Sequence, residues 1–282
     1  MKRLSVVLAA IISLLALWPA GCSQENNPGL KVVASTSLIT QIVERVSGNK
    51  VDVVNIIPPA QCPGHFDVKP GDIQKLAEAD LFLLHGWQGE KFSEDLIATA
   101  DNDNLTVVKV DVKVGENANW MTPAVQAAAM DKIAETLSQA DVANTDAYRA
   151  AAEEYKSIIS AKEAEVKEKL ADISPAGISV LCAEQQAGFL GWAGFSIVST
   201  FGRPETMTPP VVKDLVDLGR SENVVLVIDN MQSGADAGAA VAEDLGCRRV
   251  ILSNFPGGYK DTATWEDTID YNIELLLAAL TE

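Results

Sequence analysis

Positive charge is scarce in this chain. Its 282 residues hold 22 lysines and arginines against 39 acidic residues, a formal net charge of −17. Such a body repels nucleic acid and anionic lipid, so cationic or neutral partners, or solubility alone, account for the acidity. Long apolar runs are just as rare: a single one, Leu4 to Trp18, follows Lys2 and Arg3. It is too short and too one-sided for a membrane span, and it is read as a secretory signal. Histidine occurs twice, at His65 and His85, and cysteine four times. Removal of the signal leaves Cys62, Cys182 and Cys247 besides Cys22, an odd set for a disulfide framework in an oxidising compartment. Cys182 ends a predicted strand and Cys247 precedes another, which puts them roughly 15 Å apart in a parallel sheet. No disulfide is expected between them. No GxGxxG, GxxxxGK[ST], GxSxG or HExxH stands in the context that would give it meaning, so nothing proposes phosphate handling or acyl transfer.

What is present begins with Ala20-Gly21-Cys22, which has the form of a bacterial lipobox; Cys22 is then the lipid-modified first residue of the mature chain. Residues 1–21 are the expected signal peptide and residues 22–29, through SQENNPG, a lipidated polar tether. Without Lys2 and Arg3, 20 basic residues face 39 acidic ones, a net charge of −19. The remaining length of about 260 residues exceeds one ordinary core and suggests two domains.

From Lys31 short apolar runs alternate with helical patterns. KVVAST, KVDVVNIIPP, LFLLHG and LTVVKV read as strands, separated by LITQIVERVSG, PGDIQKLAEAD and FSEDLIATA. Thr122-Pro123 is a helix start with Thr as N-cap, and Val125, Ala129, Ile133 and Leu137 form one buried stripe. A second helical run from about Thr145 to Asp172 spans roughly 40 Å, enough to serve as a spine. After Gly177 the alternation restarts with GISVLCAE, IVSTF, NVVLVIDN and RRVILSNF, and TWEDTIDYNIELLLAAL closes the chain. The expected fold is α/β: an N-terminal lobe over 30–122, a helical segment with the spine over 123–174 and a C-terminal lobe over 175–282, each lobe a four-stranded parallel sheet with flanking helices. Ligands in such sheets collect at the carboxyl ends of the strands, in one cleft.

VVASTSLITQIVERVSG, PPAQCPGHFDVKPGDIQKLAEADLFLLHG, WMTP and TWEDTIDYNIELLLAAL together resemble the TroA-like (ZnuA-type) zinc and manganese solute-binding lipoproteins of ABC metal importers. The resemblance covers nearly the whole mature chain. It implies an extracytoplasmic receptor, anchored through Cys22 to the bacterial membrane on its periplasmic or cell-surface face, monomeric, not an enzyme, without catalytic cofactor or nucleic-acid partner, and serving an ABC permease. It also implies a cation held between the lobes by about four side chains, mostly histidines and acids. His65 matches the first. Ala118, beside Asn119, stands where the second is expected; Glu184, with Gln185 beside it, matches the third; Ser253 or Asn254 stands at the last.

Other residues can compensate. His85 ends a strand, so its imidazole can project at the cleft rim or pack at the strand end. Cys62 lies three residues before His65, a spacing that chelates zinc or another soft ion, although a free cysteine also serves as a small buried hydrophobe. Cys182 shares a face with Glu184 in extended chain and is read as core rather than ligand. Asp67 and Asp229 are further oxygens near strand ends. The expected metal set is His65, Glu184, His85 and Cys62, which suits zinc first, with manganese or iron as alternatives. Trp87, Trp120 and Trp192 stand beside the three ligand segments. They raise an alternative, a metal chelate or small organic ligand read by tryptophans and hydrogen bonds. A thiol or hydrolytic enzyme built on Cys62 and His65 lacks an orienting partner.

Overall fold

The computed structural model describes residues 29–87, 90–115 and 118–281. The signal peptide, Cys22 and the tether through residue 28 lie outside the described residues.

The first lobe is built from β1 (Leu30–Ala34), α1 (Ser37–Ser47), β2 (Val51–Asn55), α2 (Pro70–Ala77), β3 (Leu81–Leu84), α3 (Phe92–Ala100) and β4 (Thr106–Lys109). Its strands are parallel in the order β2-β1-β3-β4. Val32, Ala34, Leu81 and Leu83 face one core, whereas Val33, Phe82 and Leu84 face another, as the two-residue period of a strand requires. Both faces of the sheet are therefore covered, which is why LFLL is apolar throughout.

Two helices follow, α4 (Pro123–Ala140) and α5 (Thr145–Ala171). Pro123 occupies the first turn of α4 as expected, but Thr122 does not cap through its side chain; its hydroxyl donates to the Asn119 carbonyl at 2.6 Å instead. The 27 residues of α5 contribute Tyr148, Tyr155, Ile159, Val166 and Leu170 to the largest core, which continues without interruption into the second lobe. That shared core makes α5 a strut rather than a linker.

The second lobe comprises β5 (Ser179–Ala183), α6 (Ala187–Trp192), β6 (Ser196–Phe201), α7 (Pro209–Ser221), β7 (Leu226–Asn230), the short α8 (Met231–Gly234), α9 (Ala239–Leu245), β8 (Arg248–Leu252) and α10 (Trp265–Thr281). Its order, β6-β5-β7-β8, repeats that of the first sheet. The lobes are tied behind the cleft: Trp265 Nε1 donates to the Met121 carbonyl at 3.0 Å, and Glu266 accepts from Tyr155 Oη at 2.5 Å and pairs with Arg45 at 3.3 Å. The three cysteines described are unpaired. No helix among the described residues is long and apolar enough to cross a membrane.

Candidate functional site

In both sheets the chain leaves the two central strands in opposite directions, between β1 and β3 and between β5 and β7. A crevice must open at each such switch point, and here the two crevices face one another. They enclose a cavity of about 330 Å³. Leu38, Cys62, Gly64, Trp87 and Trp120 line one wall, Gln185, Arg203, Asn230, Gln232, Ser233, Asn254 and Phe255 the other, with Asn119 at the edge.

The first wall is shaped by a buried carboxylate. Glu90 accepts from Ser35 Oγ at 2.5 Å and from the backbone N–H groups of His85, Gly86 and Trp87 at 3.2, 2.7 and 3.2 Å. Burial nevertheless pushes its carboxyl above the ordinary range, against the lowering by those four donors. The turn so fixed has Gly86 at φ 81°, a left-handed conformation that favours glycine. It turns Trp87 into the cavity, 37% exposed. Behind Trp87 lies His85, fully buried, with Nε2 2.7 Å from Thr36 Oγ1 and Nδ1 unpartnered among the described residues. Its imidazole ring is stacked on Trp87 and edge-on to Trp120. Burial holds its pKa well below the usual imidazole value, so the ring is neutral.

The second wall is a lattice of amides. The Gln185 carbonyl accepts from Asn119 Nδ2 at 2.9 Å and Asn254 Nδ2 at 3.0 Å, and Ser233 Oγ donates to Gln185 Oε1 at 3.0 Å. Gln232, next to Ser233, reaches across the lobes: its Nε2 donates to the Pro59 carbonyl and, within its own lobe, to Ser253 Oγ, both at 2.9 Å, while its Oε1 accepts from the Asn254 N–H at 3.0 Å. Asn254 Oδ1 is buried without a partner among the described residues.

At the rim the lobes meet through charge. Arg203, in the loop after β6, brings Nη1 to 3.4 Å from His65 Nε2, and Glu205 Oε1 lies 3.9 Å from the same nitrogen. Gly64 permits this approach, because a Cβ there would sit 3.0 Å from the Arg203 guanidinium.

The structure brings Cys62, Trp87, Asn119, Trp120, Gln185 and Asn254 to the cavity and leaves other expected residues elsewhere. His65 is exposed at the rim, on the turn Pro63–His65. Glu184 is exposed and begins a 3-10 turn, since β5 ends at Ala183; it therefore does not share the face of Cys182, which is core. His85 does not reach the rim, because Trp87 and Trp120 shield it. Asp67 is exposed outside the cavity. Asp229 is fully buried, held by Arg249 at 2.7 Å and the Gly238 N–H at 2.7 Å. Trp192 packs beside Val166 and Leu170 of α5 and points Nε1 at Glu163, away from the cleft. Ser253 is buried and bonded to Gln232 and the Phe255 carbonyl, so Asn254 is the one that faces the cavity. Among the described residues no three His, Cys, Asp or Glu side chains converge as a metal group.

Sequence reasoning missed Arg203, Asn230, Gln232, Ser233 and Phe255. Each lies at or just beyond the carboxyl end of β6, β7 or β8, so that position alone would have found them.

A profile of the family described as "Zinc-uptake complex component A periplasmic" matches residues 32–279. The chain belongs to this family. Among curated relatives, the manganese ABC transporter substrate-binding lipoprotein PsaA of Streptococcus anginosus is 26% identical, the match covering 79% of this chain and 80% of the relative. The manganese-binding lipoprotein MntA of Halalkalibacterium halodurans is 25% identical over 76% and 77%. Among solved structures, the Cd-bound periplasmic metal-binding protein of Candidatus Liberibacter asiaticus superimposes with a TM-score of 0.76 at 17% identity, covering 89% of this chain and 99% of that one. FpvC of Pseudomonas aeruginosa with Ni²⁺ gives 0.76 at 19%, covering 89% and 96%. This zinc-uptake family member thus carries the two-lobe, TroA-like fold expected from its sequence.

Proposed function

We propose that the protein is the extracytoplasmic receptor of an ABC metal importer, anchored through Cys22, which captures a transition metal of the zinc and manganese group in its inter-lobe cavity and presents it to a permease. The observation that carries this reading is the family match over 32–279 on a chain whose two switch-point crevices face each other across one cavity. The relatives' names, a manganese ABC transporter substrate-binding lipoprotein and a manganese-binding lipoprotein, support the cargo class. The task is binding rather than chemistry: the cavity presents amides, aromatics, the Cys62 thiol and one guanidinium, and among the described residues no base lines it to activate that thiol.

Loading acts by small motions. The shared core along α5 and the ties Trp265 to Met121 and Gln232 to Pro59 resist wide hinge opening. Local reordering at the rim, where His65, Arg203 and Glu205 are exposed or half-buried, costs little by comparison.

Elemental analysis of the lipoprotein isolated from its membranes tests the reading. A first-row transition metal at near-stoichiometric amount is expected; a preparation with no metal, and no thermal shift from zinc, manganese, iron, nickel or cobalt salts with or without chelators, overturns it.

A further inference from the structure

Resting on that reading, we infer that the cavity takes its metal as a complex with a small anionic organic chelator of the polycarboxylate or amino-acid class, not as the bare ion. The first ground is the donor set. A zinc ion held by protein takes three or four imidazole, thiolate or carboxylate side chains, with water completing an open site, and a manganese ion takes carboxylate-rich oxygen donors with carbonyls and water. The only titratable side chains lining this cavity among the described residues are Cys62 and Arg203. The remaining polar lining is neutral: Asn119, Gln185, Asn230, Gln232, Asn254 and Ser233, several already engaged with one another.

The second ground is the sign of the charge. Arg203 makes no carboxylate ion pair among the described residues, although the chain carries a formal net charge of −17. A guanidinium facing the cavity repels a dication and offers a planar fork to a carboxylate. The third is shape. Trp87 of the first lobe and Phe255 of the second present near-parallel rings, 15° apart with centroids 6.4 Å apart, in a cavity of about 330 Å³. That volume lies within the range of small-molecule sites, about 300–1,000 Å³. In the loaded cavity the chelator's oxygens and nitrogens complete the metal's coordination, a free carboxylate of the chelator meets Arg203, and the amides and Trp87 read the neutral surface of the complex.

Calorimetry and tryptophan fluorescence on the full-length protein test this with nickel chloride alone, citrate or histidine alone, and nickel premixed with each. One of the two complexes is expected to bind at least about tenfold more tightly than either of its components and to quench Trp87. Arg203→Ala should weaken that binding about 10- to 100-fold, Arg203→Lys less, and Arg203→Glu should abolish it while raising affinity for nickel alone. Far-ultraviolet circular dichroism checks that each variant is folded. Nickel alone binding as tightly as its complexes overturns the inference and leaves the metal-receptor reading in place. Free chelator binding as tightly as the complex overturns both. Failure of every probe overturns the inference, and the elemental analysis above decides the reading separately.

Discussion

The imidazole of His85 stacks on the indole of Trp87 with an interplanar angle of 6° and centroids 3.6 Å apart, so the residue that faces the cleft is also the lid over a buried neutral histidine. With only two histidines in the chain, the imidazole region of a nuclear magnetic resonance spectrum is simple. His85 is expected to stay neutral far below the usual imidazole pKa. Trp87→Ala should admit water and let His85 titrate nearer to about 6.5. An unchanged His85 titration in that variant contradicts the shielding argument.

The same histidine links stability to pH. Its folded pKa is lowered, so the unfolded chain binds the extra proton first. Its contribution is fully present above about pH 6.5 and is lost as pH falls from there toward the folded value, with a slope of at most about 1.4 kcal/mol per pH unit. Glu90, whose pKa is raised by burial, acts with opposite sign: its contribution is present at low pH and lost as pH rises through the raised value. Urea unfolding of wild type and His85→Gln between pH 5 and 7.5 separates the two. The wild type should lose more stability on acidification than the variant does.

Glu90→Ala leaves three backbone N–H groups and the Ser35 hydroxyl without their common acceptor. Each buried donor stripped of its partner costs about 1–3 kcal/mol; water entering the gap reduces the sum, so a loss of about 3 kcal/mol is expected in denaturant titration. Trp87 fluorescence should shift to the red as the 85–87 turn loosens. Preserved stability with an unshifted spectrum counts against the proposed role of the carboxylate.

Arg249→Ala isolates Asp229 in the second lobe. Asp229 is fully buried and its pKa is raised by that burial despite Arg249 and the Gly238 N–H. Removing one partner of such a pair costs about 3–5 kcal/mol; because the Arg249 side chain is 31% exposed, the lower end is expected. Thermal unfolding should show it, with metal uptake at low temperature unaffected.

Thiol reactivity should also be uneven. Burial pushes the Cys182 thiol up to about 12, so it stays protonated and shielded in the native protein. A disulfide reagent at pH 8 should modify Cys182 only at the rate of unfolding. Cys62, at the cavity wall, should be protected by bound cargo.

The alternation of apolar and polar stretches made the lobes legible. The strands are short and bounded by turn residues, the inner ones are largely apolar on both faces, as in LFLL and SVLCA, and a parallel sheet is the arrangement that buries two such faces. The spine was legible because Thr145 to Ala171 contains no proline or glycine to interrupt it. Cleft residues were legible where they stood just after a strand end, as with Trp87, Gln185 and Asn254, or just ahead of the Thr122-Pro123 helix start, as with Asn119.

Sequence by itself determined the two-sheet α/β plan, the spine and the family, because these follow from periodicity and from local motifs that need no knowledge of what lies opposite. Tertiary structure alone decided what fills the cleft. Whether His85 reaches the rim depends on Trp87 covering it, whether Asp229 is available depends on Arg249 reaching it from the next strand, and whether a cation is welcome depends on Arg203 arriving from the other lobe. Charge and burial at a site are sums over neighbours distant in sequence, and those sums exist only once the chain is folded.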